Sequence, residues 1–328
     1  MSFGKKGTEM KRFVSILLIV VLCVGFSACG GNETNKKITV GICQLTQHPA
    51  LDKATEGFID AVNEGLGKDN VEIINENASG DISSCSTIVN EFVAKNVDLI
   101  MANATPALQA AHAATSDITI LGTAVTHYAP ALDISLADWS GTVGGNISGT
   151  SDLADLKAQA TMVQEWFPDA KKVAILFCSA EANSIFQASE VEKNFSKMDI
   201  ETKEFTFTDS NDVASVTLNA CEWADVIYIP TDNVAASNAE AIANVVIENK
   251  KPVIAGEKEA CSSFGIAALS IDYYDLGVKT GEMAVEILKN GADVSTMEIQ
   301  YAPFEKYYNK DMCDKLGITP LEGYRAIE

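Results

Sequence analysis

The sequence predicts an α/β protein of two duplicated Rossmann-like lobes, parallel sheets flanked by helices, joined by hinge crossovers with a cleft between them. Three observations predict it. Strand and helix patterns alternate along the chain, the second half repeats the order of the first, and a glycine-bearing segment joins the halves.

The alternation starts at residues 37–43, Lys-Ile-Thr-Val-Gly-Ile-Cys, a short apolar run that reads as a strand. Residues 49–66 follow as a helix, with Ala54, Phe58, Ala61 and Val62 on one face. Then come a strand at 71–74, a helix at 83–95, a strand at 97–102, a helix at 106–114 and a strand at 118–125. Such βαβ units make a parallel sheet covered on both faces.

The second half aligns on the first. Lys36-Lys-Ile-Thr-Val-Gly-Ile-Cys43 matches Lys171-Lys-Val-Ala-Ile-Leu-Phe-Cys178, the run from Asp98 matches that from Asp225, and Leu121-Gly-Thr matches Ala255-Gly-Glu. The offsets are 135, 127 and 134 residues (171 against 36, 225 against 98, 255 against 121), nearly constant, as a duplicated lobe requires. Between the lobes, Gly141, Gly144, Gly145 and Gly149 fall within nine residues and suit a hinge strand. They do not form G-x-G-x-x-G, and no strand-turn-helix context supports a nucleotide loop. A strand at 266–272, a helix at 276–289, a strand near 297–303 and a short helix at 310–316 close the chain. The predicted division is residues 38–148 plus 272–296 for the first lobe and 149–271 plus 297–328 for the second.

Ahead of the lobes, Lys5, Lys6, Lys11 and Arg12 precede the apolar run from Phe13 to Phe26, which ends in Ser27-Ala-Cys29-Gly-Gly. Small residues before a cysteine fit cleavage ahead of a lipidated Cys29, with residues 1–28 as export signal and 29–37 as tether. Cys23 is the poorer candidate because Val21 and Leu22 are bulky. The run is short for a membrane span. The expected location is extracytoplasmic, lipid-anchored to a bacterial cell membrane. Six cysteines remain beyond Cys29, with no C-x-x-C among them, and they read as structural thiols.

The formal charge is −21, and four Lys/Arg against Glu9 give the first 28 residues +3, leaving −24 for the rest. A surface of this sign repels nucleic acid. The hydrophobic fraction of 47% is that of a globular protein.

In parallel α/β sheets, ligands bind beyond the carboxyl ends of the strands. Here those rims are residues 44–49, 103–106, 126–130, 179–184, 230–233 and 256–259, all polar and most ending at a helix start. Asn183 or Ser184 reads as the cap of a helix whose free N–H groups suit a carboxylate. Thr105 reads as a cap with Pro106 at the first helical position. Asp232 ends an apolar strand with no basic neighbour in sequence; it suits a ligand ammonium, with an N-cap role for it or Asn233 as the competitor. Thr126 and Glu257 stand on the same rims. Catalysis finds little support: there is no G-x-S-x-G elbow, and His48, His127 and Glu257 lack short-range metal-ligand spacing. No cofactor is expected.

At these loops the sequence resembles the ABC transporter substrate-binding lipoproteins of the type I periplasmic-binding-protein fold, and more narrowly the subfamily linked to tryptophan, tyrosine and phenylalanine uptake. The stretches that carry the resemblance are Gln47-His-Pro-Ala-Leu-Asp52, Ala104-Thr-Pro-Ala107, Thr123-Ala-Val-Thr126, Gly144-Gly-Asn-Ile-Ser-Gly149, Glu181-Ala-Asn-Ser184, Pro230-Thr-Asp-Asn-Val-Ala-Ala-Ser237 and Ile271-Asp-Tyr-Tyr-Asp-Leu-Gly277. The family commonly has Asp-Pro after the position of Thr126, where this chain has His127-Tyr128. The resemblance implies a non-enzymatic binding protein that delivers a small amino acid, aromatic in type, to a permease and ATPase. It implies a ligand carboxylate at Thr105, Asn183 and Ser184, an amine at Asp232, and a side chain near Gln44, His48 and His127. A nucleoside or other metabolite as ligand, and a surface adhesin or sensor partner, are the alternatives.

Overall fold

The computed structural model describes residues 37–327; the export segment and Cys29 lie outside the described residues. The first sheet is built from β1 (Ile38–Gln44), β2 (Val71–Asn77), β3 (Leu99–Asn103), β4 (Thr119–Val125), β5 (Ile147–Ser151) and the two-residue β11 (Gln300–Tyr301), in the order β11-β5-β4-β3-β1-β2. Every neighbour pair in it is parallel. The second sheet is built from β6 (Lys172–Cys178), β7 (Glu201–Phe207), β8 (Val226–Ile229), β9 (Val253–Ala255), β10 (Ala267–Ser270), β12 (Glu305–Tyr308) and β13 (Arg325–Ala326). Its order is β13-β12-β10-β9-β8-β6-β7. The orders 2-1-3-4-5 and 7-6-8-9-10 superimpose, so the duplication seen in sequence is a duplication of topology. Even a small detail recurs: Asp98 Oδ2 accepts from the Thr39 N–H at 2.7 Å, and Asp225 Oδ2 accepts from the Lys171 and Lys172 N–H groups at 2.9 Å.

Both faces of the first sheet are covered, as period-2 alternation in a parallel sheet requires. Val40, Ile42, Leu99, Met101 and Leu121 turn to one face, against Phe58 and Val62 of α1 (Pro49–Leu66). Cys43, Ile100, Ala102 and Ile120 turn to the other, against Cys85, Val89 and Phe92 of α2 (Ile82–Lys95) and Leu108 of α3 (Thr105–Ala114). The six described cysteines are free and buried.

Three crossings join the sheets. The first, residues 152–155, runs from β5 to α5 (Leu156–Trp166) in the second lobe; the second, 271–272, runs from β10 back to α11 (Tyr273–Asn290); the third, 302–304, runs from β11 to β12. Two expectations are corrected. Strand membership puts the first and last boundaries after 151 and 301, where the sequence placed them after 148 and 296, because β5 and β11 pair with each other inside the first sheet. Gly141, Gly144, Gly145 and Gly149, expected at the hinge, therefore lie ahead of the crossing, on the first lobe's side of it. Gly149 is required by packing: at φ 142°, a Cβ there would stand 2.1 Å from the Gly122 carbonyl and 2.4 Å from the Tyr128 hydroxyl. The antiparallel β12, inserted between β10 and β13, is absent from the sequence reading.

Helix α11 returns to the first lobe and packs on α1 at very short range. A Cβ at Gly277 would stand 2.0 Å from the Ala54 carbonyl oxygen, and one at Gly57 would stand 2.2 Å from that of Tyr274. Backbone meets backbone here, so no side chain is free to move aside. Gly277→Ala is expected to destabilise the protein by about 1–3 kcal/mol, the range for overpacking a tight contact. A urea denaturation midpoint unchanged from the parent would overturn that account of the α1–α11 contact.

Candidate functional site

The carboxyl ends of the two sheets face each other, and the lobes touch across the cleft. His48 Nε2, at the entrance to α1, lies 3.3 Å from Asn233 Oδ1 at the start of α8 (Asn233–Ser237). Lys53 of α1 pairs with Glu259 of α10 (Lys258–Phe264) at 2.9 Å, and Gln187 of α6 (Ala182–Phe195) donates to Thr126 Oγ1 at 3.5 Å. Between these contacts lies an inner cavity of only about 10 Å³, lined from the first lobe by His48 and Thr126 and from the second by Asn183, Asp232, Asn233 and Glu257. Asp152, on the first crossing, and Tyr273, just past the second, complete its wall. Beside it the cleft widens to about 560 Å³, between Leu45, Thr46 and Ile82 on one side and Cys178, Glu181 and Val234 on the other.

The charges at the inner cavity are all of one sign. Asp152, Asp232 and Glu257 line it, and neither Lys nor Arg does. Each is 5% exposed or less. Burial raises all three carboxyls above their ordinary range, and at Glu257 the neighbouring Glu259 charge adds to it. Two are held by backbone N–H groups: Asp232 caps α8 through Oδ1 from Ala235 N (2.8 Å) while Oδ2 accepts from Cys178 N (2.6 Å), and Glu257 caps α10 from Ala260 N (2.8 Å) and Glu259 N (3.1 Å). The cap reading of Asp232, the competitor in sequence, is thus realised in the structure. Glu181 lies just behind, its Oε2 accepting from Asn183 Nδ2 and from the backbone and side-chain amides of Asn233 at 2.8–3.1 Å.

Several sequence-predicted residues are placed differently. Gln44 is buried, but its amide donates to Thr46 O and Asp52 Oδ1 and accepts from Thr55 Oγ1, so it serves the first lobe's own network. Ala104, at φ 89°, occupies the cap position of α3, and Thr105 is its first helical residue, not its cap. Glu181 takes the cap position of α6, though its side chain bonds none of the helix's backbone N–H groups, so neither Asn183 nor Ser184 caps it. Asn183 donates its amide hydrogens to Glu181, Ser184 and Thr231, which leaves only its oxygen for anything else, the wrong polarity for a carboxylate. Ser184 is fully buried beside Asp232 and helps hold that carboxylate. His127 Nδ1 caps the short α4 (Tyr128–Ala131) from Ala129 N, and its ring packs between Trp139 of its own lobe and Phe186 of α6, with centroids 5.4 and 5.1 Å away. Burial lowers the pKa of both His48 and His127.

Asp152, Tyr273, Trp139 and Phe186 escaped the sequence reading. Asp152 and Tyr273 sit at crossings, and a reading that looked for ligands only at strand-to-helix rims passes over them. The signal available was the lone acid directly after the Ile-Ser-Gly-Thr-Ser strand.

Residues 39–324 match the ABC transporter substrate-binding protein family. The chain is 36% identical over 296 residues to the tyrosine-binding protein of Clostridioides difficile (strain R20291), covering 86% of this chain and 85% of that one. It superposes on a Streptococcus pneumonia ABC domain in complex with L-Trp with a TM-score of 0.83 at 30% identity, covering 89% and 100% of the two chains. On the ligand-free, open structure of a substrate-binding protein with adhesive properties from Clostridium difficile the TM-score is 0.66 at 34% identity, covering 88% and 99%. The better fit to the liganded structure agrees with lobes that meet across the cleft.

Glu181 supplies a test of this closed arrangement. Burial, then the charge of Asp232, pushes its carboxyl from 4.5 up to about 7. Its folded form favours the proton, so the associated stability is present below about pH 4.5 and is lost as pH rises through about 7. Glu181→Gln keeps the neutral shape. The parent is expected to lose stability relative to this variant between those pH values, read from urea midpoints of the ligand-free proteins; parallel profiles would sink the assignment.

Proposed function

Because the chain belongs to the ABC transporter substrate-binding protein family, we propose that its ligand is an amino acid, aromatic in type, captured in the cleft by lobe closure and delivered to a membrane permease driven by an ATPase. The observation that carries the amino-acid reading is the acidity of the inner cavity: three buried carboxyl groups line it, with one histidine and neither Lys nor Arg. A ligand that enters such a space must bring a positive group, since a buried charge without a partner is costly. Sugars and nucleosides bring none. The aromatic reading draws on the tyrosine-binding and L-Trp-bound relatives.

Extracytoplasmic attachment through Cys29 belongs to the same proposal. Basic residues, an apolar run and Ser27-Ala-Cys29 support it, and Cys29 lies outside the described residues. Among the described residues no helix is long and apolar enough to cross a membrane. Cys29→Ala is expected to abolish incorporation of labelled palmitate; undiminished labelling would move the anchor to another residue.

The ligand is tested by thermal shift over amino acids, nucleosides and sugars. A ligand that binds only the folded state adds ~2.7 kcal/mol at a hundredfold excess over Kd, a shift of several degrees. The expected responders are L-tyrosine, L-tryptophan and L-phenylalanine. A response to nucleosides or sugars alone would redirect the assignment. Silence across the panel would favour the second reading, attachment to a surface, which draws on the relative with adhesive properties.

A further inference from the structure

The three carboxylates at the inner cavity are not equivalent. Asp232 and Glu257 each hold a backbone N–H on both oxygens. Asp152 does not. Its Oδ2 accepts from the Tyr273 hydroxyl at 2.9 Å and the Thr126 hydroxyl also favours its charged form, while its Oδ1 is buried with no partner in hydrogen-bond geometry. Two further buried atoms on this cavity's walls share that condition, Asn183 Oδ1 and His48 Nδ1.

All three are acceptors. The Asn183 amide orientation is fixed, because its nitrogen donates to the Glu181 carboxylate and the Thr231 carbonyl. The tautomer of His48 follows one step further out. Asn233 Nδ2 donates to Glu181, so Asn233 Oδ1 is an acceptor and the proton of the 3.3 Å contact sits on His48 Nε2. Burial keeps the ring neutral, and Nδ1 is left with a bare lone pair. Six buried side-chain atoms among the described residues lack a partner, and three of them are these acceptors on one small cavity. An unpaired buried polar atom is destabilising, so three on one cavity call for a ligand.

We propose that Asp152 Oδ1, Asn183 Oδ1 and His48 Nδ1 form a three-acceptor cradle for the ligand's ammonium, whose three N–H donors match them one to one. The inference rests on the amino-acid reading above and moves the amine from Asp232, whose oxygens already hold the start of α8 and the end of β6, to Asp152. One acceptor comes from each lobe and one from the crossing between them, so the cradle is complete only when the lobes are closed. The inner cavity's small size agrees with this: it takes a charged head and no side chain.

Titration calorimetry on the purified chain tests it, using the tightest binder among L-tyrosine, L-tryptophan and L-phenylalanine together with its des-amino analogue, the corresponding 3-arylpropionate. The parent is expected to bind the amino acid at least about a hundredfold more tightly than the analogue. Asp152→Asn keeps the side chain's shape and Tyr273's partner. It should weaken the amino acid about a hundredfold and leave the analogue within a few-fold. His48→Ala should show the same selective loss on a smaller scale, and Asp232→Asn should chiefly lower the urea midpoint. Asp152→Asn binding the amino acid within about threefold of the parent overturns the cradle while leaving the amino-acid function intact, as does an equal loss for both ligands in His48→Ala. A parent that binds no amino acid overturns the function and the cradle together.

Discussion

Closing the two lobes removes water from carboxylates that have no cation to meet them, and much of the site is arranged around that constraint. Asp152, Glu181, Asp232 and Glu257 are all buried at the closed interface. Desolvation disfavours each as an anion. The protein answers in two ways. Backbone N–H groups at the starts of α8 and α10 take up Asp232 and Glu257, and side-chain and backbone amides take up Glu181. Lys53, which reaches across the cleft, is drawn to Glu259 outside the cavity rather than into it. The cavity itself is therefore left negative and short of donors. A ligand with a positive group has a differential affinity for this closed form, and differential affinity is what moves a two-state equilibrium.

Duplication supplied two equal scaffolds and left the rims to diverge. Asp98 and Asp225 hold equivalent strands together by similar hydrogen bonds at the strand starts, away from the rims. At the rims the chemistry separates. The second lobe ends its strands in Glu181, Asp232 and Glu257, whereas the first ends in Asn103, Thr126 and His48, neutral groups that donate or accept according to their surroundings. Asn103 even turns back to its own lobe, bonding Leu51 O and Thr55 Oγ1. The two halves of the cleft thus have the same shape of approach and different polarity.

This contrast also decides what could be read in the sequence. The alternating strands and helices were legible because each carries its own periodicity and each half repeats the other; the helix at Lys310–Leu316 was read to the residue. Residues on strand ends were legible as a group, and six of the ten predicted ligand residues line the inner cavity. Their roles were not. Whether Asp232 faces a ligand or a helix depends on where Cys178 N and Ala235 N lie, and only the fold brings Cys178 to it from 54 residues away. The glycines misled for a related reason: four close together suggested a hinge, but Gly149 answers to the Gly122 carbonyl beside it in the sheet. β12 runs against the parallel pattern that the duplication teaches, so no repeat could announce it.

The position of Asp152 ties recognition to motion. It is the first residue after β5 and so begins one crossing, while Tyr273, which holds its other oxygen, follows directly on another. A charge that settles on Asp152 acts on two of the three segments that join the lobes. Ring contacts, by contrast, join the lobes directly: His127 on one meets Phe186 on the other, with Trp139 on its far side. Hinge motion absorbed by a few residues between rigid bodies is the usual means of closure around a ligand. In this chain the residue with the unsatisfied charge is one of those few.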